Sequence, residues 1–320
     1  MDDPAPPATS VRTLPTAGDS MRGIVVMLLG FFLYSAADAV AKYLTTDFPP
    51  LQISFARQIG LTLFVCFLIA TRGPGLLRTR QPGRQLARGA MAAISSASFI
   101  IAVTYVPLAD AVAVAFISPF IATTLAALFL GEAVGIRRWA AIGVGLIGTL
   151  IVIRPGLGVF HPAIALAFVS AAALATRQVL SRSLGPREAT QTTLAYTALT
   201  ATALLTLPLP FVWTAPTTLE HWGLFAVLAV LAAGGEFCFI RALELAGAVS
   251  VAPVMYSVII WSTLWGFLIF AQLPDGWTIV GASIVVASGI YTFYRETRAA
   301  RVAGGGTVTK DEDNTGRFRA

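Results

Sequence analysis

The sequence predicts an all-α integral membrane protein with ten transmembrane helices in two inverted five-helix repeats. Three observations carry this reading. Hydrophobic residues make up 56% of the chain, charged residues 12%, and the mean hydropathy is +0.77. A water-facing globule carries about 25% charged residues, so this much apolar surface belongs in lipid. Apolar stretches of spanning length recur along the whole chain. Finally, the second half echoes the first. Leu108-Ala-Asp-Ala-Val-Ala-Val-Ala-Phe-Ile-Ser-Pro119 reads against Leu245-Ala-Gly-Ala-Val-Ser-Val-Ala-Pro253 at an offset of about 137 residues, and Trp139…Gly143 against Trp277…Gly281 at about 138. A shorter echo pairs Ser35-Ala-Ala…Lys42 with Ser170-Ala-Ala…Arg177.

Stretches of roughly 17–25 apolar residues fit a bilayer. They fall at about 23–44, 51–71, 88–107, 109–131, 137–154, 162–181, 190–212, 221–243, 247–271 and 276–294. The joints at Tyr105-Val-Pro-Leu-Ala and Leu245-Ala-Gly are short enough to require tight antiparallel hairpins. The first run follows Arg22 and reaches Leu44, longer than a signal peptide's apolar region, so it reads as the first span. The domain division follows: a polar, Pro-rich N-terminus over 1–21, a first repeat over 22–155, a second over 156–295, and a tail over 296–320 that reads as disordered linker.

Orientation comes from arginine. Placing the N-terminus in the cytoplasm collects Arg12 and Arg22; Arg72, Arg78, Arg80, Arg84 and Arg88; Arg137 and Arg138; Arg182 and Arg187; Arg241; and Arg295, Arg298, Arg301, Lys310, Arg317 and Arg319 on that side. Only Arg154 and Lys42 lie toward the other, whose loops around Asp110, Glu220 and Asp275 carry no basic residue. Both termini are therefore expected in the cytoplasm, and the +6 net charge orients helices rather than binding nucleic acid. Trp213, Trp222 and Trp277 mark the outer interface and Trp139 the inner one. An odd number of spans per repeat makes the second repeat enter from the opposite face, the arrangement of secondary transporters that alternate about one central site.

Ionisable residues inside a span are costly and mark a path or a partner. Ser35, Asp38 and Lys42 form a polar stripe on helix 1, with Phe31 and Tyr34 continuing it inward, and Arg57 reaches a similar depth from helix 2. Two readings stay open: an outward vestibule in which Asp38, Lys42 and Arg57 bind a polar or zwitterionic solute, or an Asp38–Arg57 pair that holds two helices together. Glu236, within Ala232-Ala-Gly-Gly-Glu-Phe-Cys-Phe239, is the deepest acid; burial disfavours its charge, which suits a solute or proton-coupling group. Arg241 with Glu244, and Arg177, read as interfacial residues that snorkel. Pro119 and Pro253 are candidate hinges in repeat-related helices. Tyr256, Trp261, Trp265, Phe116, Phe120 and Phe99 are candidates for a stacking wall, and Cys66 and Cys238 read as packing residues.

The histidines, His161 and His221, sit in loops, and no metal-ligand cluster, nucleophile arrangement or phosphate loop accompanies them. An enzyme, a channel, a resident metal or a cofactor is therefore not expected. The expected partners are a small-molecule solute, membrane lipid and protons, in a monomer or homodimer.

The chain resembles the drug/metabolite transporter superfamily in its form with two EamA-type repeats. The residues that carry the resemblance are Asp38-Ala-Val-Ala-Lys42-Tyr-Leu, Ser54-Phe-Ala-Arg57, Ser118-Pro119 before Leu130-Gly-Glu132, Gly143 with Gly148, and Arg241-Ala242 leading to Ala252-Pro253…Tyr256. Its Asp-x-x-x-Lys-Tyr-Leu and Phe-x-Arg features are similar to importers of riboflavin and of S-adenosylmethionine, which implies uptake of such a metabolite across a bacterial inner membrane. Export of amino acids or drugs is the alternative. Where an acid is usual, the second repeat has Gln272-Leu-Pro274, so Glu132 lacks a symmetric counterpart.

Overall fold

The computed structural model describes residues 17–131, 135–153, 161–184 and 188–305, and among them every regular element is helical. The first half comprises α1 (Ala17–Leu44), α2 (Pro50–Arg72), α3 (Pro82–Tyr105), α4 (Leu108–Ala115), α5 (Ser118–Leu130) and α6 (Ile136–Ile153). The second comprises α7 (Ile164–Leu184), α8 (Thr190–Thr206), α9 (Leu209–Val212), α10 (Leu219–Val251), α11 (Ser257–Phe270) and α12 (Gly276–Gly305). Pro50 and Pro82 open α2 and α3, where a missing N–H costs nothing and the fixed φ suits the first turn.

Among the described residues six stretches are long and apolar enough to cross a membrane: Met21–Leu44, Pro50–Arg72, Pro82–Tyr105, Leu108–Leu130, Ile164–Leu184 and Leu219–Ala242. Trp139–Val152, Val254–Phe270 and Gly276–Tyr291 are shorter apolar helices. The chain is thus an all-α, multi-pass membrane protein. Leu63, Phe67, Phe129, Phe211, Val230 and Ile260 face outward, where lipid replaces water as the solvent. The interior is built instead from small residues, with Ala37, Ala39, Ala41, Ala102, Ala111, Ala126, Ala167 and Ala171 fully buried. Helices in lipid gain no hydrophobic drive from pairing, so small side chains that let backbones touch supply the packing.

Inversion of the repeats is visible in the contacts. Lys42 Nζ, at the end of α1, donates to the Val106 carbonyl just past α3 at 2.6 Å, so α1 and α3 run the same way. Helix α7 runs against α3, because Ser170 meets Ser95 near its start while Ser181 and Ser183 meet Arg88 and Arg84 near its end. The counterparts α1 and α7 therefore point in opposite directions. The last helices of the two halves meet at Gly148 and Gly281, where a Cβ on Gly281 would lie 2.6 Å from the Gly148 oxygen. No side chain fits there without parting α6 from α12.

The fourth span of the first half is broken. Phe116 and Ile117 separate α4 from α5, just before Pro119, which cannot donate to the ladder. In the second half the related break is a 3-10 turn over Ala252–Tyr256 between α10 and α11. It corrects one expectation. The tight hairpin at Leu245-Ala-Gly does not form; α10 continues as helix through Val251. The first half has Pro107 to end α3 at Tyr105, whereas α10 contains no proline and meets one only at 253. Helix α12 likewise continues through Gly305, past the expected end near 294. Both repeats close the broken span on a left-handed residue, Gly131 at φ 68 and Ala271 at φ 52. Arg12, Glu132, Arg154, Arg187 and the tail beyond Gly305 lie outside the described residues, as do the side chains of Arg138, Glu244 and Pro253.

Candidate functional site

A cavity of about 350 Å³ opens between α1, α2, α3, the α4–α5 break, α7, α8, α10 and the turn before α11. Small residues create its charged wall. Gly235 of α10 lies so close to α1 that a Cβ there would sit 3.0 Å from the Tyr34 ring, and a Cβ on Gly30 would sit 3.0 Å from that of Cys238. This approach lets the Tyr34 hydroxyl donate to the Glu236 carboxylate. One turn along α1 from Tyr34, Asp38 accepts from Arg57 Nη1, and the Arg57 guanidinium lies 5.9 Å from the Tyr34 ring centre. Asp38, Arg57, Tyr34 and Glu236 thus form one continuous array along the cavity.

The facing wall is polar without being acidic. Arg177, Gln178 and Ser170 come from α7, Ser95 and Ser96 from α3, Gln58 from α2, and Thr197 from α8. Ser95 and Ser170 share a 3.1 Å hydrogen bond that joins the two repeats. Ser118, at the helix break, is 2% exposed and its hydroxyl has no partner among the described residues, nor has that of Ser96. Phe31, Phe99, Phe116 and Phe239 supply flat apolar surface between these groups.

Four of the expected site residues, Tyr34, Asp38, Arg57 and Glu236, line this cavity, and Pro119 lines it at the break. Three others stand elsewhere. Lys42 is buried at the end of α1, bonded to the Val106 carbonyl and 5.3 Å from the Phe270 ring centre, so it caps the bundle instead of opening a vestibule. Tyr256 stacks on Phe116 from behind, with ring centres 5.2 Å apart, and its hydroxyl presses on the bare backbone at Gly289. Trp261 packs edge-on against Phe32 at 5.4 Å, on the α1–α11 contact. Pro253 falls in the 3-10 turn. Cys66 is exposed on the outer surface rather than packed inside.

Arg177 is the residue that sequence reading misplaced. It faces the cavity about 10 Å inside the end of α7, too deep for a side chain that snorkels to the interface. Its signal was present in the echo that sets Arg177 against Lys42. Gln58, Gln178 and the serines carried none, because neutral polar residues in helices are common on any face.

Hydrogen bonds tie the repeats together at both ends of the bundle. On the face where α1 begins, Glu188 accepts from the Thr79 hydroxyl at 2.9 Å and the Arg80 amide at 3.2 Å, and the Thr79 bond above all holds its carboxyl below the ordinary 4.5. On the opposite face, Gln52 and the Thr214 backbone exchange two bonds of 2.8 and 2.9 Å.

Comparison with known proteins gives this architecture a family. The chain is 29% identical over 272 residues to the pseudopaline exporter CntI of Pseudomonas aeruginosa, covering 84% of this chain and 94% of that protein. It is 27% identical over 283 residues to the S-adenosylmethionine uptake transporter of Rickettsia felis, covering 87% and 95%. It is 28% identical over 286 residues to the riboflavin transporter of Vibrio cholerae, covering 88% and 96%. A solved crystal structure shares the fold with a TM-score of 0.59 at 18% identity, covering 87% of this chain and 99% of its own. The EamA-like transporter family model matches twice, over residues 21–154 and 161–294, in the two halves that the helices themselves delimit, and the chain belongs to that family of small-metabolite transporters.

Proposed function

We propose that this protein takes up riboflavin or a similar vitamin-like metabolite across the bacterial inner membrane by alternating access, driven by protons. The observation that carries the reading is the cavity itself. Its volume of about 350 Å³ suits a small organic molecule, and it combines four phenylalanine faces with hydrogen-bonding groups from both repeats. It also lies against two breaks in repeat-related spans, at 116–117 and in the turn Ala252–Tyr256. Broken helices beside a central site are natural hinges, since unsatisfied backbone there changes partners at little cost.

In proteoliposomes with an imposed pH gradient, labelled riboflavin should accumulate on the alkaline side. Accumulation of S-adenosylmethionine instead would replace the solute and keep the mechanism. Outward movement under the same gradient would make the protein an exporter, and movement of neither solute in either direction would overturn the uptake reading.

Both termini are proposed to be cytoplasmic, on the strength of the arginine distribution. With Cys66 and Cys238 replaced by alanine, a cysteine at Thr217 should react with an impermeant thiol reagent in intact cells, and one at Ser10 only after lysis. Equal labelling from outside would overturn this orientation.

A further inference from the structure

We propose that the Arg177 end of the cavity is an oxyanion-binding pole, so that the carried metabolite bears a carboxylate or phosphate group. This rests on the transport reading above and narrows its solute to vitamin-like metabolites that carry an acid group, which riboflavin itself lacks. The argument begins with charge. Asp38 is compensated by Arg57. Glu236 is held by the Tyr34 hydroxyl and lies within electrostatic reach of Arg88. Arg88 is bonded only to uncharged acceptors: Ser181 Oγ at 2.7 Å, the Thr193 carbonyl at 3.3 Å, and the Thr197 hydroxyl.

Ser181 in turn bonds to the Arg177 carbonyl at 2.8 Å, so Arg88 packs against the same turn of α7 that presents Arg177. The two guanidiniums repel each other across this contact. Arg177 itself makes no ion pair and no side-chain hydrogen bond with any described residue. Among the described residues two arginines therefore share one acid, and a positive charge is left without a counterion inside the apolar slab, a placement that is costly unless a mobile partner completes it.

The geometry fits an oxyanion as that partner. Arg177 faces the open cavity, where a guanidinium presents a planar fork matched to carboxylate or phosphate. Gln178 stands beside it, and the hydroxyls of Thr197 and Ser95 line the same wall. The repeat gives a contrast. Lys42, which the sequence echo sets against Arg177, already has its carbonyl and ring partners, while Arg177 has no side-chain hydrogen bond and no ring partner among the described residues.

The test uses the purified full-length protein in lipid-free detergent, with thermal unfolding followed in sodium acetate or sodium phosphate against sodium chloride at matched ionic strength. At about 10 mM oxyanion the wild-type midpoint should rise by about 2–4 °C. The acetate and phosphate arms show which oxyanion is preferred. Arg177→Lys should keep part of the rise, since it retains the charge without the fork, and Arg177→Gln should lose it. A wild type that responds to neither oxyanion overturns the proposal, and so does an Arg177→Gln protein that responds like wild type. Proteoliposome transport by the same preparations separates the two readings. Accumulation without an oxyanion response removes the anionic pole alone, whereas an oxyanion response without any transport removes the transport reading alone.

Discussion

Asp38→Asn and Arg57→Gln each reduce transport to near background and lower stability by about 3–5 kcal/mol, and the double variant loses less than the two losses added. The size of the effect follows from burial. The two side chains are 15% and 11% exposed, with Arg57 the former, so neither retains the water shell that makes a surface pair worth about 0–1 kcal/mol. Removing one partner leaves the other charged and uncompensated in the middle of the bundle, whereas removing both leaves a neutral, hydrogen-bonding pair of similar shape. The pair also sets the position of Tyr34, whose ring lies beneath the Arg57 guanidinium and whose hydroxyl reaches Glu236. Breaking it therefore disturbs the whole array. Thermal unfolding and solute uptake measured on the three variants check this, and strictly additive losses would mean that Asp38 and Arg57 act separately.

The path from sequence to site was uneven, for reasons that particular residues make clear. Long apolar runs dictate spanning helices, because lipid leaves no other way to satisfy a backbone, so the helices were legible from composition and length. The charged residues that meet in the array were legible too, as a stripe on α1 and an arginine at similar depth on α2, but whether Asp38 and Arg57 pair or both hold solute was left open by the sequence. What one helix touches on a distant one was not legible. Glu236 stands out as a buried acid, but only the close approach at Gly30 and Gly235 brings it to Tyr34. Lys42 belongs to the same polar stripe as Asp38, yet the carbonyl of Val106 and the ring of Phe270 take it out of the cavity, and both partners come from elsewhere in the chain. Tyr256 and Trp261 failed as lining residues for a related reason. An aromatic in an apolar helix has no polar atom whose satisfaction fixes its direction, so sequence leaves its face open. The helix turn expected near 245 does not form because the repeats differ where it matters: Pro107 ends α3, and its non-proline counterpart lets α10 continue.

Glu236→Gln folds and still exchanges solute across the membrane, but loses accumulation against a gradient. Glu236 lies midway along α10, accepts a hydrogen bond from Tyr34, and lines the cavity. A carboxyl so placed is reached by protons only through the cavity, so it loads from whichever face the cavity opens to and unloads at the other. Glutamine preserves its volume and can still accept from the Tyr34 hydroxyl, which keeps the α1–α10 contact intact. It cannot titrate, so solute binding no longer depends on the proton and the gradient has nothing to act on. Tyr34→Phe serves as the structural control: it removes the donor, leaves the carboxyl, and should retain accumulation that Glu236→Gln loses. The readout is uptake by proteoliposomes with and without an imposed pH gradient, alongside exchange of internal against external solute. If Glu236→Gln accumulates solute with the wild-type dependence on pH, the residue is structural, and coupling must be sought at Asp38, the other acid in the array.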